Sequence, residues 1–146
     1  MQLSSPAFNH EGEIPPKYTC DGEDINPRLK IDNIPDRAKS LALIVDDPDA
    51  PGGTFTHWTM WNIDTDIESI EEDSVPEGAI QGGTDFGDTG YGGPCPPSGT
   101  HRYFFKLYAL GEEVNLNSGA SKSDLESAIK ERVVDSAELM GQYSRE

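Results

Sequence analysis

The chain has 146 residues, of which 27 are acidic and 11 basic, and its formal net charge is −16. This length fits one domain, residues 1–146, with a lean core because hydrophobic residues make up 34% of the chain. The acidity argues against nucleic acid as a partner, since that binding depends on lysine and arginine. No run approaches the roughly 20 apolar residues of a membrane span, and no signal peptide is evident, so we expect a cytoplasmic protein.

Fifteen glycines and eleven prolines predict many turns and short strands rather than long helices. Strong strand candidates are residues 40–46, 56–63 and 102–110, and weaker candidates are 28–31 and 79–81. A helix is predicted to begin after Ser121 and to keep its 3.6-residue period as far as residue 133. Alternating residues then favour a closing strand over 136–144. The fold class is therefore mainly β, with one or two short helices.

The most informative stretch is the run from Gly93 to Tyr103, where a loop rich in proline and glycine leads into an apolar strand. Proline fixes φ and lacks an N–H, so this loop, which includes Pro97, is expected to form a rigid wall. Residues two apart on a strand face the same side, so His101 and Tyr103 should project together and Arg102 away from them.

A second polar cluster runs from Asp46 to Pro51 and is followed by the strand that His57 opens. Two of the three histidines thus begin apolar strands after loops, which predicts a polar pocket at one end of a sheet. One hypothesis is that the Asp47 carboxylate faces His57 and holds its tautomer or charge. The alternative is that the aspartates of this cluster only stabilise a turn and need no ligand. Strand alternation places Trp58 on the face opposite His57. No metal or other cofactor is expected, because the histidines lack the usual metal-ligand spacings.

The two cysteines, Cys20 and Cys95, both lie in loops that carry these motifs. Their spacing matches no metal or redox motif, and a disulfide and a pair of free thiols both remain open. A thiol at Cys95 near His101 would also be compatible with a nucleophile, although the flanking prolines supply no helix terminus to activate it.

These residues together resemble the phosphatidylethanolamine-binding protein family, most nearly its bacterial and archaeal Raf kinase inhibitor-like branch. The resemblance runs from about residue 4 to 145. The stretches that carry it are Ser5–Phe8, Tyr18–Asp24, Asp47–Pro51, His57–Ile63, Thr84–Gly87 and Gly93–Tyr103.

The resemblance implies an antiparallel β-sandwich without a C-terminal capping helix and with a small pocket for a phosphate-like anion. It assigns Asp47 and His57 to one side of that pocket, His101 and Tyr103 to the other, and Gly93 and Pro97 to the rim. It also implies a cis bond between Ala50 and Pro51.

The function that the resemblance implies is non-enzymatic: binding of a small anion, phosphate or a phosphoryl head group, with modulation of a kinase or protease partner. A homodimer is compatible with this branch. Two alternatives are kept as hypotheses: a serine protease inhibitor that acts through an exposed loop, and a small hydrolase that uses Cys95 or the His57/His101 pair.

Overall fold

Eight strands form two antiparallel sheets in the computed structural model, which describes residues 1–145. The smaller sheet has the order β1-β2-β5, and the larger has the order β6-β4-β3-β7-β8. The strands are β1 Gln2–Ser4, β2 Leu29–Asp32, β3 Ser40–Asp47, β4 Phe55–Ile63, β5 Ser69–Ile70, β6 Ile80–Gln81, β7 Gly99–Leu110 and β8 Val133–Arg145. The predicted fold class is confirmed.

The helical content is a single 3₁₀ turn, Pro16–Tyr18, and one α-helix, α1, Lys122–Ile129. The Ser121 Oγ accepts a hydrogen bond from the N–H of Asp124 at 3.0 Å, so the predicted helix start is confirmed. The helix ends earlier than its apolar period indicated, because the chain turns at residues 130–132 and enters β8. The predicted closing strand is confirmed and begins at Val133.

Strand β3 lies in the middle of the larger sheet and is buried along its whole length. Its odd-numbered apolar residues, such as Leu43, pack into the core between the two sheets. Its even-numbered residues, such as Ile44, pack into a second core with α1. A strand covered on both faces has no polar alternation, which explains the uninterrupted apolar run.

The same alternation sends the two aspartates at the end of β3 to opposite faces of the sheet. Asp46 lies on the α1 side, where its Oδ2 accepts hydrogen bonds from Lys106 at 3.2 Å and Lys122 at 2.9 Å. Asp47 lies on the side of the core between the sheets. Each buried carboxylate therefore has its own set of partners.

A β-bulge interrupts the pairing of β3 with β4 next to these aspartates. Val45 pairs with Trp58 and Asp46 pairs with Thr56, so His57 is an extra residue without a partner on β3. A bulge re-aims side chains, and here both His57 and Trp58 face the core between the sheets. The expectation that His57 and Trp58 lie on opposite faces is therefore wrong.

Every peptide bond among residues 1–145 is trans, so the cis bond expected between Ala50 and Pro51 is wrong as well. Strand β8 is the last element that the structure describes. Within the described chain, no helix has the length and apolar character needed to cross a membrane.

The segment that precedes the 3₁₀ turn closes over β8 so tightly that it limits the side chain at Gly141. A Cβ there would lie 2.5 Å from Ile14 Cγ1 and 2.7 Å from the ring of Phe8. We expect Gly141→Ala to lower the free energy of unfolding by about 1–3 kcal/mol in urea denaturation, because an overpacked core must shift. Gly111→Ala is the matched control, since its nearest neighbour would lie at an ordinary 3.7 Å. Equal stability of the two variants would contradict this packing argument.

Candidate functional site

A cavity of about 460 Å³ opens at the end of the larger sheet where β3 ends and β4 and β7 begin. Its polar lining comes from Asp47, His57, Asp85, His101 and Tyr103. Its remaining lining is apolar or sulfur-bearing and consists of Ala50, Pro51, Phe55, Phe86, Cys95, Pro96 and Pro97. The two predicted histidines therefore do converge, and the size suits a small ligand.

His101 is hydrogen-bonded to Asp47, since its Nδ1 lies 2.6 Å from Asp47 Oδ2. Both groups are buried. Asp47 Oδ1 accepts a second hydrogen bond from the N–H of Asp49 at 2.7 Å. The expected pairing of Asp47 with His57 is therefore wrong: β7 pairs directly with β3, and this brings His101 to the carboxylate.

His57 bonds to the backbone instead. Its Nδ1 lies 2.8 Å from the carbonyl oxygen of Gly92. Burial lowers the pKa of His57 below its ordinary value of 6.5, and the Gly92 carbonyl and the Asp47 charge oppose this shift. The unliganded ring is therefore neutral at pH 7.

These bonds fix the tautomer of both rings. A carbonyl oxygen only accepts, and the Asp47 carboxylate accepts at both oxygens, so we assign Nδ1–H to His57 and to His101. In the neutral rings Nε2 is then an acceptor, and it becomes a donor only when the ring is protonated. Neutral imidazoles in this arrangement offer an oxyanion no N–H.

Tyr103 contributes a donor that the protein itself does not use. It faces the same side as His101, as alternation predicted, and its ring packs edge-on to His57 at 5.2 Å. Among residues 1–145, its hydroxyl is buried without a hydrogen-bond partner of standard geometry, and the nearby acceptor is the Asp47 carboxylate. Burial, then the charges of Asp47 and Asp49 and the hydrogen-bonding influence of Asp47, raise the pKa of Tyr103, so the phenol keeps its proton.

The other sequence-predicted residues divide between lining and support. Pro97 lines the cavity, as does Cys95, which forms a disulfide with Cys20. Gly93, which was expected at the rim, does not line the cavity. Its N–H donates to Asp24 Oδ1 at 2.8 Å. A Cβ at Gly93 would lie 2.3 Å from the carbonyl oxygen of Tyr18, so this close approach requires glycine.

Sequence reasoning named no role for the aromatic mouth of the cavity. Phe86 packs edge-on to Phe55 at 4.8 Å and to His57 at 5.3 Å, and it is 44% exposed. Asp85 lines the same side and accepts a hydrogen bond from the N–H of Thr56 at 2.7 Å. The sequence signals were an aromatic residue in a glycine-rich loop and the place of Thr84–Gly87 among the stretches that carry the family resemblance.

The charge in the cavity lining is unusual for a site that would hold an anion. Among residues 1–145, no lysine or arginine lines it, whereas the carboxylates of Asp47 and Asp85 do. Any positive charge must therefore come from a protonated histidine. Within the same range, no cluster of three histidine, cysteine or acidic side chains is arranged to hold a metal ion.

A surface ion pair anchors the loop that follows Asp47. Asp49 accepts hydrogen bonds from Arg102 at the backbone N–H (2.9 Å), Nε (2.9 Å) and Nη2 (2.8 Å). This bidentate contact between the β3–β4 loop and β7 holds Asp49 where its own N–H donates to Asp47.

We expect the Asp49 carboxyl to titrate at about 2 in the wild type, because Arg102 stabilises the charged form, and at a higher pH in Arg102→Met, which keeps only the backbone N–H at this position. The stability from this pair is present above the ordinary pKa and is lost as the pH falls toward 2. Carboxyl ¹³C NMR measures the titration. Arg132→Met is the control, because Arg132 pairs with Glu112 away from this loop. An unchanged Asp49 titration in Arg102→Met would refute the anchoring role.

Comparisons with known proteins identify the family of the chain. The family model for phosphatidylethanolamine-binding protein matches residues 4–144. A UPF0098 protein of Methanothermobacter thermautotrophicus is 51% identical over 150 residues, with 99% of each chain covered.

Two solved structures are similar along nearly their whole length. A putative phosphatidylethanolamine-binding protein homologue from Chlamydia trachomatis has a TM-score of 0.95 at 39% identity, covering 99% of this chain and 97% of its own. YbcL of E. coli, described as a member of the mammalian family, has a TM-score of 0.93 at 30% identity, covering 99% and 98%. This chain belongs to the phosphatidylethanolamine-binding protein family.

Proposed function

We propose that the cavity binds a small oxyanion, phosphate or a phosphoryl head group, and that the protein acts by binding rather than by catalysis. Family membership supports a binding or regulatory role in general. The observation that carries the specific proposal is the unpartnered buried hydroxyl of Tyr103, between two imidazoles whose Nδ1 atoms are already occupied. A buried hydroxyl without a partner costs free energy, and an oxyanion would supply the acceptor.

Protonation supplies the other donors. Because the Nδ1–H of each ring is committed, an anion receives an N–H only from Nε2 of an imidazolium. Because the His57 ring is neutral at pH 7, an N–H from its Nε2 requires uptake of a proton, and the bound anion raises the pKa of His57. Since a bare phosphate group makes few contacts, we expect an affinity of about millimolar, about 4 kcal/mol.

The apolar mouth limits the ligand to a small head group with a modest attached group. Phe55, Phe86 and Pro97 line the same cavity as the polar groups and offer apolar surface to a group attached to the anion. A nucleophilic thiol is not available in this state, because Cys95 is in the disulfide. A kinase or protease partner and a homodimer remain predictions.

The first test is the pH dependence of sulfate binding, since sulfate keeps its charge across the range in which histidine titrates. As the pH rises from about 5 to about 8, we expect affinity to fall by up to about tenfold per unit above the lowered pKa of His57, because one proton binds with the anion. NMR titration of the histidine rings measures both affinity and protonation. Constant affinity over this range would exclude imidazolium donors.

A second test removes the donor hydroxyl. Tyr103→Phe should weaken phosphate binding by about tenfold and leave the unliganded protein as stable as before, or about 1 kcal/mol more stable, because an unsatisfied buried hydroxyl disappears. The matched control is Tyr108→Phe, a half-buried tyrosine on the other face of β7. Calorimetric titration and urea denaturation give the two readings. Unchanged affinity in Tyr103→Phe would count against the proposed site.

A further inference from the structure

The Cys20–Cys95 disulfide joins the cavity wall to an exposed loop. Cys95 lines the cavity, whereas Cys20 is exposed and lies in the loop after the 3₁₀ turn. The bond connects residues 75 positions apart in the chain. Cys20 is thus the more exposed residue of the pair, whereas Cys95 is half-buried and is part of the cavity wall.

Segment 91–95 and loop 18–24 contact each other beside the disulfide, and we call this contact the seam. Hydrogen bonds cross it. The N–H of Cys20 donates to the carbonyl of Pro94 at 3.1 Å, and the Tyr91 hydroxyl donates to the carbonyl of Tyr18 at 2.6 Å. Within that segment, the Gly92 carbonyl holds the ring of His57. The seam therefore connects the disulfide to the position and tautomer of a site histidine.

The two sulfurs are chemically unequal. Nη1 of Arg145 lies 3.5 Å from Cys95 Sγ, and its Nη2 lies 2.9 Å from Asp21 Oδ1. A neighbouring guanidinium stabilises a thiolate. Cys95 is therefore the better leaving group, and Cys20 is the sulfur that an attacking thiolate reaches.

We propose that this disulfide is a site of thiol–disulfide exchange with a dithiol reductant, and that opening it weakens anion binding in the cavity. This second part rests on the proposed function. A thiolate of the reductant attacks Cys20 Sγ, the bond to Cys95 breaks, and Cys95 leaves as a thiolate beside Arg145. The second thiol of the reductant, as a thiolate, then attacks the reductant's first sulfur, which is bonded to Cys20 in the mixed disulfide, and Cys20 leaves as a thiolate. The reductant becomes a disulfide, two electrons pass to the protein, and the two thiol protons go to the cysteines or to solvent.

Opening the bond affects the cavity in two ways. A thiolate at Cys95 adds negative charge to a wall that already carries Asp47 and Asp85, and the Arg145 guanidinium beside it, which also pairs with Asp21, offsets this charge only in part. The segment that holds His57 also loses its covalent link to loop 18–24. We expect the affinity for inorganic phosphate to fall at least about threefold, within the range by which such coupled contacts alter binding.

The experiment measures phosphate affinity by NMR for the oxidised chain and for the chain reduced with a dithiol, at one pH and ionic strength. Thiol counting verifies the redox state, and far-UV circular dichroism verifies the fold. The Cys20→Ser/Cys95→Ser variant should show the same affinity with and without the dithiol. Unchanged wild-type affinity after full reduction would contradict the proposal that the disulfide controls phosphate binding. Unfolding on reduction would contradict it as well, because the bond would then only stabilise the fold.

The exchange step has a separate test on the oxidised protein. Arg145→Gln should shift the equilibrium with the dithiol toward the disulfide by at least about threefold, because the Cys95 thiolate loses its cation. Arg132→Gln removes a similarly exposed arginine that pairs with Glu112, and should shift nothing. Equal shifts in the two variants would overturn the role of Arg145. If the oxidised wild type binds no phosphate, the proposed function fails, and the arginine comparison still decides the exchange site.

Discussion

The hydrogen bond between His101 and Asp47 is the constraint on which the site depends. It joins β7 to β3 at the point where both strands leave the core, and both partners are buried. Because Asp47 is satisfied by His101 and by the N–H of Asp49, it fixes a ring orientation and a loop conformation together. The Asp49–Arg102 pair then ties that loop back to β7 at the surface. Without this bond, the buried Asp47 carboxylate would lose the only side-chain hydrogen bond of standard geometry that it has among residues 1–145.

The hydrogen bonds that the site residues already make within the protein determine which ligands the cavity can hold. Each imidazole donates its Nδ1–H to an acceptor of the protein. Among residues 1–145, Tyr103 is the only hydroxyl-bearing residue in the cavity lining, and the acidic lining groups are the carboxylates of Asp47 and Asp85. An unprotonated site of this kind resembles a receptor for neutral or positive groups. The proposed binding of an oxyanion therefore depends on a protonated histidine, so that selectivity for the anion and protonation of the site would be two aspects of one equilibrium. The strongly acidic surface, with a net charge of −16, adds to the need for local protons.

Most of the fold followed from local patterns, because the strong strands carry their own signals. The buried run of β3, the aromatic alternation of β7 and the Ser121 cap all led to the correct elements. The two-residue β5 and the three-residue β1 were missed, since so short a strand is defined by its partner rather than by its sequence. The convergence of His57, His101 and Tyr103 was predictable from the motifs. Which histidine meets Asp47 was not, because that choice depends on which strands are neighbours in the sheet.

The bulge in β4 places His57 at a position that strand pairing does not need and that lines the cavity. Removal of His57 would let Thr56 follow Trp58 in unbroken register with Asp46 and Val45, and the ladder would be more regular. The strand thus accommodates one extra residue, whose ring lines the cavity and bonds to the carbonyl of Gly92. Pairing of β3 with β4 does not require this residue, so the bulge is what brings an imidazole into the cavity wall without changing the rest of the strand.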